Sequence, residues 1–203
     1  MTRIAILGST NGTSCQLLIE RIRSKTLPNV ELVFMLSNRK NAGILQRAKD
    51  NNIKGIYIPS KGKKREEYDR EVDSLLVEHN IDLVLLIGYM KFLSSWFVNK
   101  WLNKVMNVHP SLLPAFSGKM DLDIHQEVLK RGCKVSGATL MFIDEGADTG
   151  PIISQRITYV EPVDTPKTLK DKVQNLEKEM LVEAVEWWRD GKICINGNLI
   201  KII

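Results

Sequence analysis

The chain has 203 residues, 43% of them hydrophobic and 26% charged, with a formal net charge of +5. That length suits one large domain with a core that needs neither disulfides nor metal, and the composition excludes a disordered or low-complexity chain. Three cysteines, an odd number with no C-x-x-C pair, speak against a disulfide framework and a thiolate zinc site.

From the N-terminus, short apolar runs at residues 3–7, 30–35, 55–58, 83–87 and 104–108 read as buried parallel strands. Between them, residues 14–24, 43–51, 66–79 and 94–101 have helical spacing with charged outer faces. The alternation predicts an α/β, Rossmann-like, doubly wound open sheet, mostly parallel. The second half changes character. Residues 135–143 and 152–159 look like longer strands that turn antiparallel, and residues 165–189 form a long helix opened by Asp164, Thr165 and Pro166. An Asn196-Gly197 turn suggests a small terminal hairpin. Nothing Pro/Ser-rich divides the chain, so one domain is expected over 1–203, with a phosphate-binding half at 1–102 and a catalytic half at 103–203.

The N-terminus enters its first strand directly, with no export signal and no run of 18 apolar residues, so a cytoplasmic protein without a membrane partner is expected. Much of the positive excess sits at residues 61–65, and no basic stripe interleaves with aromatics. No nucleic-acid partner is therefore expected, while attraction of a small phosphorylated substrate fits.

Residues 8–14, Gly-Ser-Thr-Asn-Gly-Thr-Ser, follow the first strand and open the first helix. They are not G-x-G-x-x-G, which favours a monophosphate cradle over a dinucleotide site, and a plain glycine turn with an N-cap is the alternative. Arg65 is a second candidate phosphate ligand.

Asn107 and His109, two apart at the end of an apolar strand, point the same way, and Pro110 and Pro114 fix the exit that follows. An amide and an imidazole so placed frame a developing oxyanion. Asp148, in the turn-rich acidic segment 144–151, is the candidate carboxylate to orient the imidazole, provided it reaches His109 in space; a calcium-like or merely solvated loop is the alternative. His125 with Asp121 and Asp123 invites a metal reading that no neighbouring motif supports. His79 and the Trp187-Trp188 pair read as surface and core residues.

With Asn-x-His-Pro-Ser-Leu-Leu-Pro at residues 107–114 and Asp-Thr-Gly-Pro-Ile-Ile at 148–153, the chain resembles the folate-dependent formyltransferases. The resemblance runs almost end to end, through residues 64–71, Gly-Tyr-Met-Lys-Phe-Leu at 88–93 and Val-Gln-Asn-Leu-Glu at 173–177. It implies transfer of a formyl group from 10-formyltetrahydrofolate to the amine of glycinamide ribonucleotide, by a monomer or homodimer and without metal. It further implies that Gly12, Thr13, Ser14 and Arg65 hold a ribose 5-phosphate and Glu177 binds the ribose hydroxyls. Met90, Lys91, Phe92 and Leu93, with Ile143, Asp144, Glu145, Gly146 and Ala147, are then expected to line a folate pocket. In that scheme His109, held protonated by Asp148, and the Asn107 amide stabilise the oxyanion, with water or His109 moving the proton.

Two departures are visible. Met141 stands where many relatives have histidine, and the phosphate loop reads Gly-Thr-Ser where Gly-Ser-Asn is commoner. Residues 118–124 read as an extended loop. The expected rivals are a formyltransferase acting on a sugar amine and a non-catalytic nucleotide sensor. Methionyl-tRNA formyltransferase and formyltetrahydrofolate deformylase are disfavoured by the extra domains they carry.

Overall fold

The computed structural model describes residues 1–119 and 122–203. Five parallel strands lead the chain: β1 (Thr2–Leu7), β2 (Val30–Ser37), β3 (Lys54–Tyr57), β4 (Leu83–Leu86) and β5 (Val105–His109). Two longer strands, β6 (Val135–Phe142) and β7 (Ile152–Tyr159), continue the same sheet antiparallel. The order is β3-β2-β1-β4-β5-β6-β7. Mid-sheet strands are covered on both faces and so read as unbroken apolar runs: every residue of β4, Leu-Val-Leu-Leu, is buried. At the edge, β7 has one solvated face, and its exposure alternates with the side-chain period of two.

Helices pack on both faces. One core gathers Leu18 and Ile19 of α1 (Gln16–Arg23), Ile44 and Ala48 of α2 (Gly43–Asp50), and Leu169, Val173 and Leu181 of the long helix at Pro166–Arg189. The opposite core gathers Tyr68, Val72 and Leu76 of α3 (Arg65–Glu78) and Phe97 of α4 (Ser95–Lys100). The first two crossover helices thus lie on one face and the next two on the other, as right-handed connections require when the chain reverses direction at β1. Helix starts follow their caps. Ser94 accepts from the Phe97 N–H, and Thr165 accepts from the Thr168 N–H ahead of Pro166 at N1.

The strand and helix expectations agree with this architecture, with two differences. Residues 122–130, expected to begin as loop, form α5 (Leu122–Lys130), which buries Ile124 and Val128 one turn apart, so the long helix Pro166–Arg189 is α6. The hairpin of β8 (Ile193–Asn196) and β9 (Leu199–Ile202) turns through Gly197-Asn198, one residue later than expected, with Gly197 at positive φ. Among the described residues no helix is long and apolar enough to cross a membrane.

Candidate active site

A cavity opens at the carboxyl ends of β1, β4 and β5, beside the point where the strand order reverses. Its first wall is the turn after β1. Gly12 adopts φ +60, and a Cβ there would lie 2.8 Å from Ile44 Cγ1, so the turn into the 3-10 segment Thr13–Cys15 requires glycine. The opening amides of such a segment have no partner within the helix and are available to an anion. The neighbouring turn after β4 is tied to this one: Ser9 N donates to Gly88 O at 3.0 Å and Met90 N to Ser9 Oγ at 2.9 Å.

Asn107 and His109 reach the cavity from the end of β5. The exit beyond them is fixed by Thr139 on β6, whose hydroxyl donates to Ser111 O at 2.7 Å and accepts from Leu113 N at 3.0 Å. Gln155 Nε2 adds donations to Leu113 O and to the Thr139 hydroxyl, each at 2.9 Å. The Leu113-Pro114 peptide bond is cis. One buried hydroxyl and one amide thus satisfy a backbone that leaves the sheet without a strand partner.

Asp148 does reach His109: Oδ2 stands 3.4 Å from Nδ1. The loop carrying it is held from both sides. Gly118 N donates to Asp148 Oδ2 at 2.9 Å, Ser117 Oγ donates to Ala147 O at 3.0 Å, and Asn99 Nδ2 donates to Glu145 Oε1 at 2.8 Å. Asp144 folds the tip by accepting from Gly146 N at 3.0 Å and the Thr149 hydroxyl at 2.8 Å.

The surroundings of His109 act on its charge in opposite directions. Burial holds its pKa below the ordinary 6.5; the Asp148 carboxylate and a hydrogen bond to the Phe116 backbone push it up but do not prevail. Burial thus works against the protonated ring that the resemblance implied, and Asp148 works for it. Nδ1 faces Asp148, and Nε2 is buried without a hydrogen-bond partner among the described residues. A neutral ring that keeps its proton on Nδ1, beside Asp148, carries a lone pair on Nε2.

The remaining candidates border the same cavity. Met90, Lys91, Phe92 and Leu93 line one side with Ile143, Asp144, Glu145, Gly146 and Ala147, and Thr13, Ser14 and Glu177 close another. Arg65 stands over the Phe92 ring, 5.9 Å from its centroid, alongside the segment at 90–93. Behind that segment, buried Asp69 accepts from Ser94 N at 2.6 Å. Met141 pairs with Asn107 across β5 and β6 and is fully buried, so an apolar side chain backs that position.

Among the lining residues that sequence reasoning did not assign to the site are Lys119, His125 of α5, read there only as a metal candidate, and Lys170 and Gln174 one turn apart on the cavity face of α6. The i, i+4 and i, i+3 spacing of 170, 174 and 177 was the available signal. Of the acidic pair beside His125, Asp121 lies outside the described residues. No group of three or more His, Cys, Asp or Glu is arranged to hold a metal ion among those described.

A family model described as formyl transferase matches residues 2–185. The crystal structure of glycinamide ribonucleotide transformylase 1 from Symbiobacterium toebii is 31% identical with a TM-score of 0.93, covering 100% of this chain and 94% of that one. The trifunctional purine biosynthetic protein adenosine-3 of Homo sapiens is 34% identical over 197 residues, 97% of this chain. The chain spans 14% to 19% of the length of such curated relatives. A formyltetrahydrofolate deformylase from Pseudomonas syringae pv. tomato has a TM-score of 0.89 at 24% identity and covers 100% of this chain and 66% of its own, a likeness of fold alone.

Proposed function

The chain belongs to the formyl transferase family, and from that premise we propose that it transfers the formyl group of 10-formyltetrahydrofolate to the amine of glycinamide ribonucleotide, a step of purine synthesis. The observation that carries this reading is the partnerless Nε2 of a buried His109, set beside Asp148 and Asn107 in one cavity.

The cavity's chemistry suits both ligands. Met90, Phe92, Leu93 and Ile143 offer apolar surface to a pterin ring, and the backbone of residues 143–147 offers hydrogen bonds to its edge. Gly12, Thr13 and Ser14 present amides to the phosphate, and Glu177 faces the ribose. Arg65 serves an anion. Its seat over Phe92 favours the carboxylates of the folate tail over the phosphate that the sequence resemblance gave it. Residues 1–102 thereby bring the phosphate loop, and 103–203 the groups that act on the formyl carbon. All of these residues lie on one chain, so the chemistry asks nothing of a second copy.

The acceptor amine attacks the formyl carbon while His109 Nε2 takes its proton. The imidazolium so formed faces the Asp148 carboxylate, and with the Asn107 amide it holds the tetrahedral oxyanion. Nε2–H then returns the proton to N10 of the folate as the carbon–nitrogen bond breaks. The products are the N-formyl amide and tetrahydrofolate, and a transfer between two nitrogens requires neither redox partner nor metal.

Steady-state assays of the purified chain with 10-formyltetrahydrofolate and three acceptors test this reading. Glycinamide ribonucleotide is expected to turn over, while a sugar amine and water do not. Turnover with the sugar amine alone would move the chain to another acceptor class, hydrolysis alone would make it a deformylase, and binding without turnover would make it a sensor.

A further inference from the structure

Ser14 opens the first helix of the chain's front half, and Glu177 sits in the middle of α6, yet the Ser14 hydroxyl donates directly to Glu177 Oε2. Both residues border the cavity and both are buried, at 4% and 6% exposure. The contact is part of a packed seam: α6 lies against the 3-10 turn and α1, and Cys15, Leu18, Leu169 and Val173 share one core. The seam fixes where the two side chains meet, so their bond is not a surface accident.

A serine hydroxyl has one hydrogen to give. With that hydrogen committed to the carboxylate, the Ser14 side chain has no donor left for a phosphate, and only its backbone N–H is available to one. A buried carboxylate oxygen also needs its partners, because leaving it unmet costs the desolvation of the group. We propose that Ser14 is a positioning residue for Glu177: its hydroxyl clamps one carboxylate oxygen so that Glu177 presents its acceptor capacity to the ribose diol, making Ser14 a determinant of ribose over 2-deoxyribose rather than a phosphate ligand through its side chain.

This rests on the reading of Glu177 as the ribose ligand. Serine at position 14 is short enough to meet the buried carboxylate directly across the packed seam. The phosphate loop and the sugar site are then coupled through one hydrogen bond. A change at Ser14 should be felt at the sugar's 2-hydroxyl, not at its phosphate.

Titration of the full chain with ribose 5-phosphate and with 2-deoxyribose 5-phosphate, followed by protein NMR, separates the possibilities. The wild-type chain should prefer ribose 5-phosphate by roughly tenfold, the value of one hydrogen bond to a charged group. Ser14→Ala should lose that preference while its affinity for 2-deoxyribose 5-phosphate stays within about twofold, and Ser14→Thr, which keeps the hydroxyl, should retain the preference. The Thr variant and Ser14→Cys, a near isostere with a weak donor and a reduced preference expected, keep the test decisive if the Ala variant does not fold. Equal weakening of both sugars in Ser14→Ala would return the hydroxyl to the phosphate and overturn the proposal, as would equal binding of the two sugars by wild type. Glu177→Gln separates this inference from its premise. Preference lost in Glu177→Gln but kept in Ser14→Ala refutes the clamp alone, whereas preference kept in Glu177→Gln refutes the ribose role of Glu177 itself.

Discussion

His109 Nδ1 and Asp148 Oδ2 face each other at 3.4 Å, on a strand end and a loop whose backbones are separately pinned. Burial disfavours the charged form of the ring and the carboxylate favours it, with burial the larger influence. Asp148 acts chiefly on the imidazolium that forms during reaction, when the ring has taken a proton it cannot share with water.

Catalysis needs the Nε2 lone pair, so kcat/KM should fall on the acid side through a value below 6.5. Asp148→Asn removes an influence that raises the His109 pKa, so the limb should move to still lower pH while kcat drops by about 10²-fold or more. Stability should track the same group. The unfolded chain takes the proton near 6.5 and the native chain at lower pH, so this contribution is complete above 6.5 and declines as pH falls from there through the folded value. An acid limb centred above 6.5 contradicts the assignment.

Asn107 donates to charge that exists only in the tetrahedral species. Asn107→Ala should therefore lower kcat by roughly 10²- to 10³-fold with little change in either KM. A loss confined to KM would show that the amide binds substrate in its ground state instead.

Thr139 has no place in the chemistry, but its hydroxyl holds Ser111 O and Leu113 N just beyond His109. Thr139→Val leaves buried backbone groups unmet and should destabilise the chain by about 1–3 kcal/mol in chemical denaturation. It should also lower kcat through a displaced imidazole, and Thr139→Ser should recover both. Full activity in the Val variant would show that the turn is held by other contacts.

Arg65→Ala distinguishes two ligands by a KM split. Its seat over Phe92 predicts a rise in KM for the formyl-folate of roughly tenfold, larger than any rise for the ribonucleotide. The reverse ordering would restore the phosphate role.

The sequence made most of the frame legible, because its signals are local. Short continuous apolar runs marked β1, β4 and β5, and the spacing of Asn107 and His109 put them on one side of a strand end. The residues it named at 12–14, 65, 90–93, 143–148 and 177 all border one cavity. What it could not show depends on three-dimensional surroundings. The protonation of His109 is set by how deeply the ring is buried, and the partner of Ser14 by how α6 packs across the first turn. Helix α5 was hidden because its apolar positions, Ile124 and Val128, follow a turn-like acidic stretch that reads as loop. Lys170 and Gln174 went unnoticed because a charged face on a long helix is usually solvated, and only the fold turns that face inward.

The most direct measurement is product stoichiometry by mass spectrometry, with the purified chain, 10-formyltetrahydrofolate carrying a labelled formyl carbon, and glycinamide ribonucleotide. The account predicts that each tetrahydrofolate released is matched by one ribonucleotide bearing the labelled formyl group on its amine, and that His109→Ala abolishes both together. Label appearing as free formate, or wild-type amounts of formylated product from His109→Ala, would contradict it.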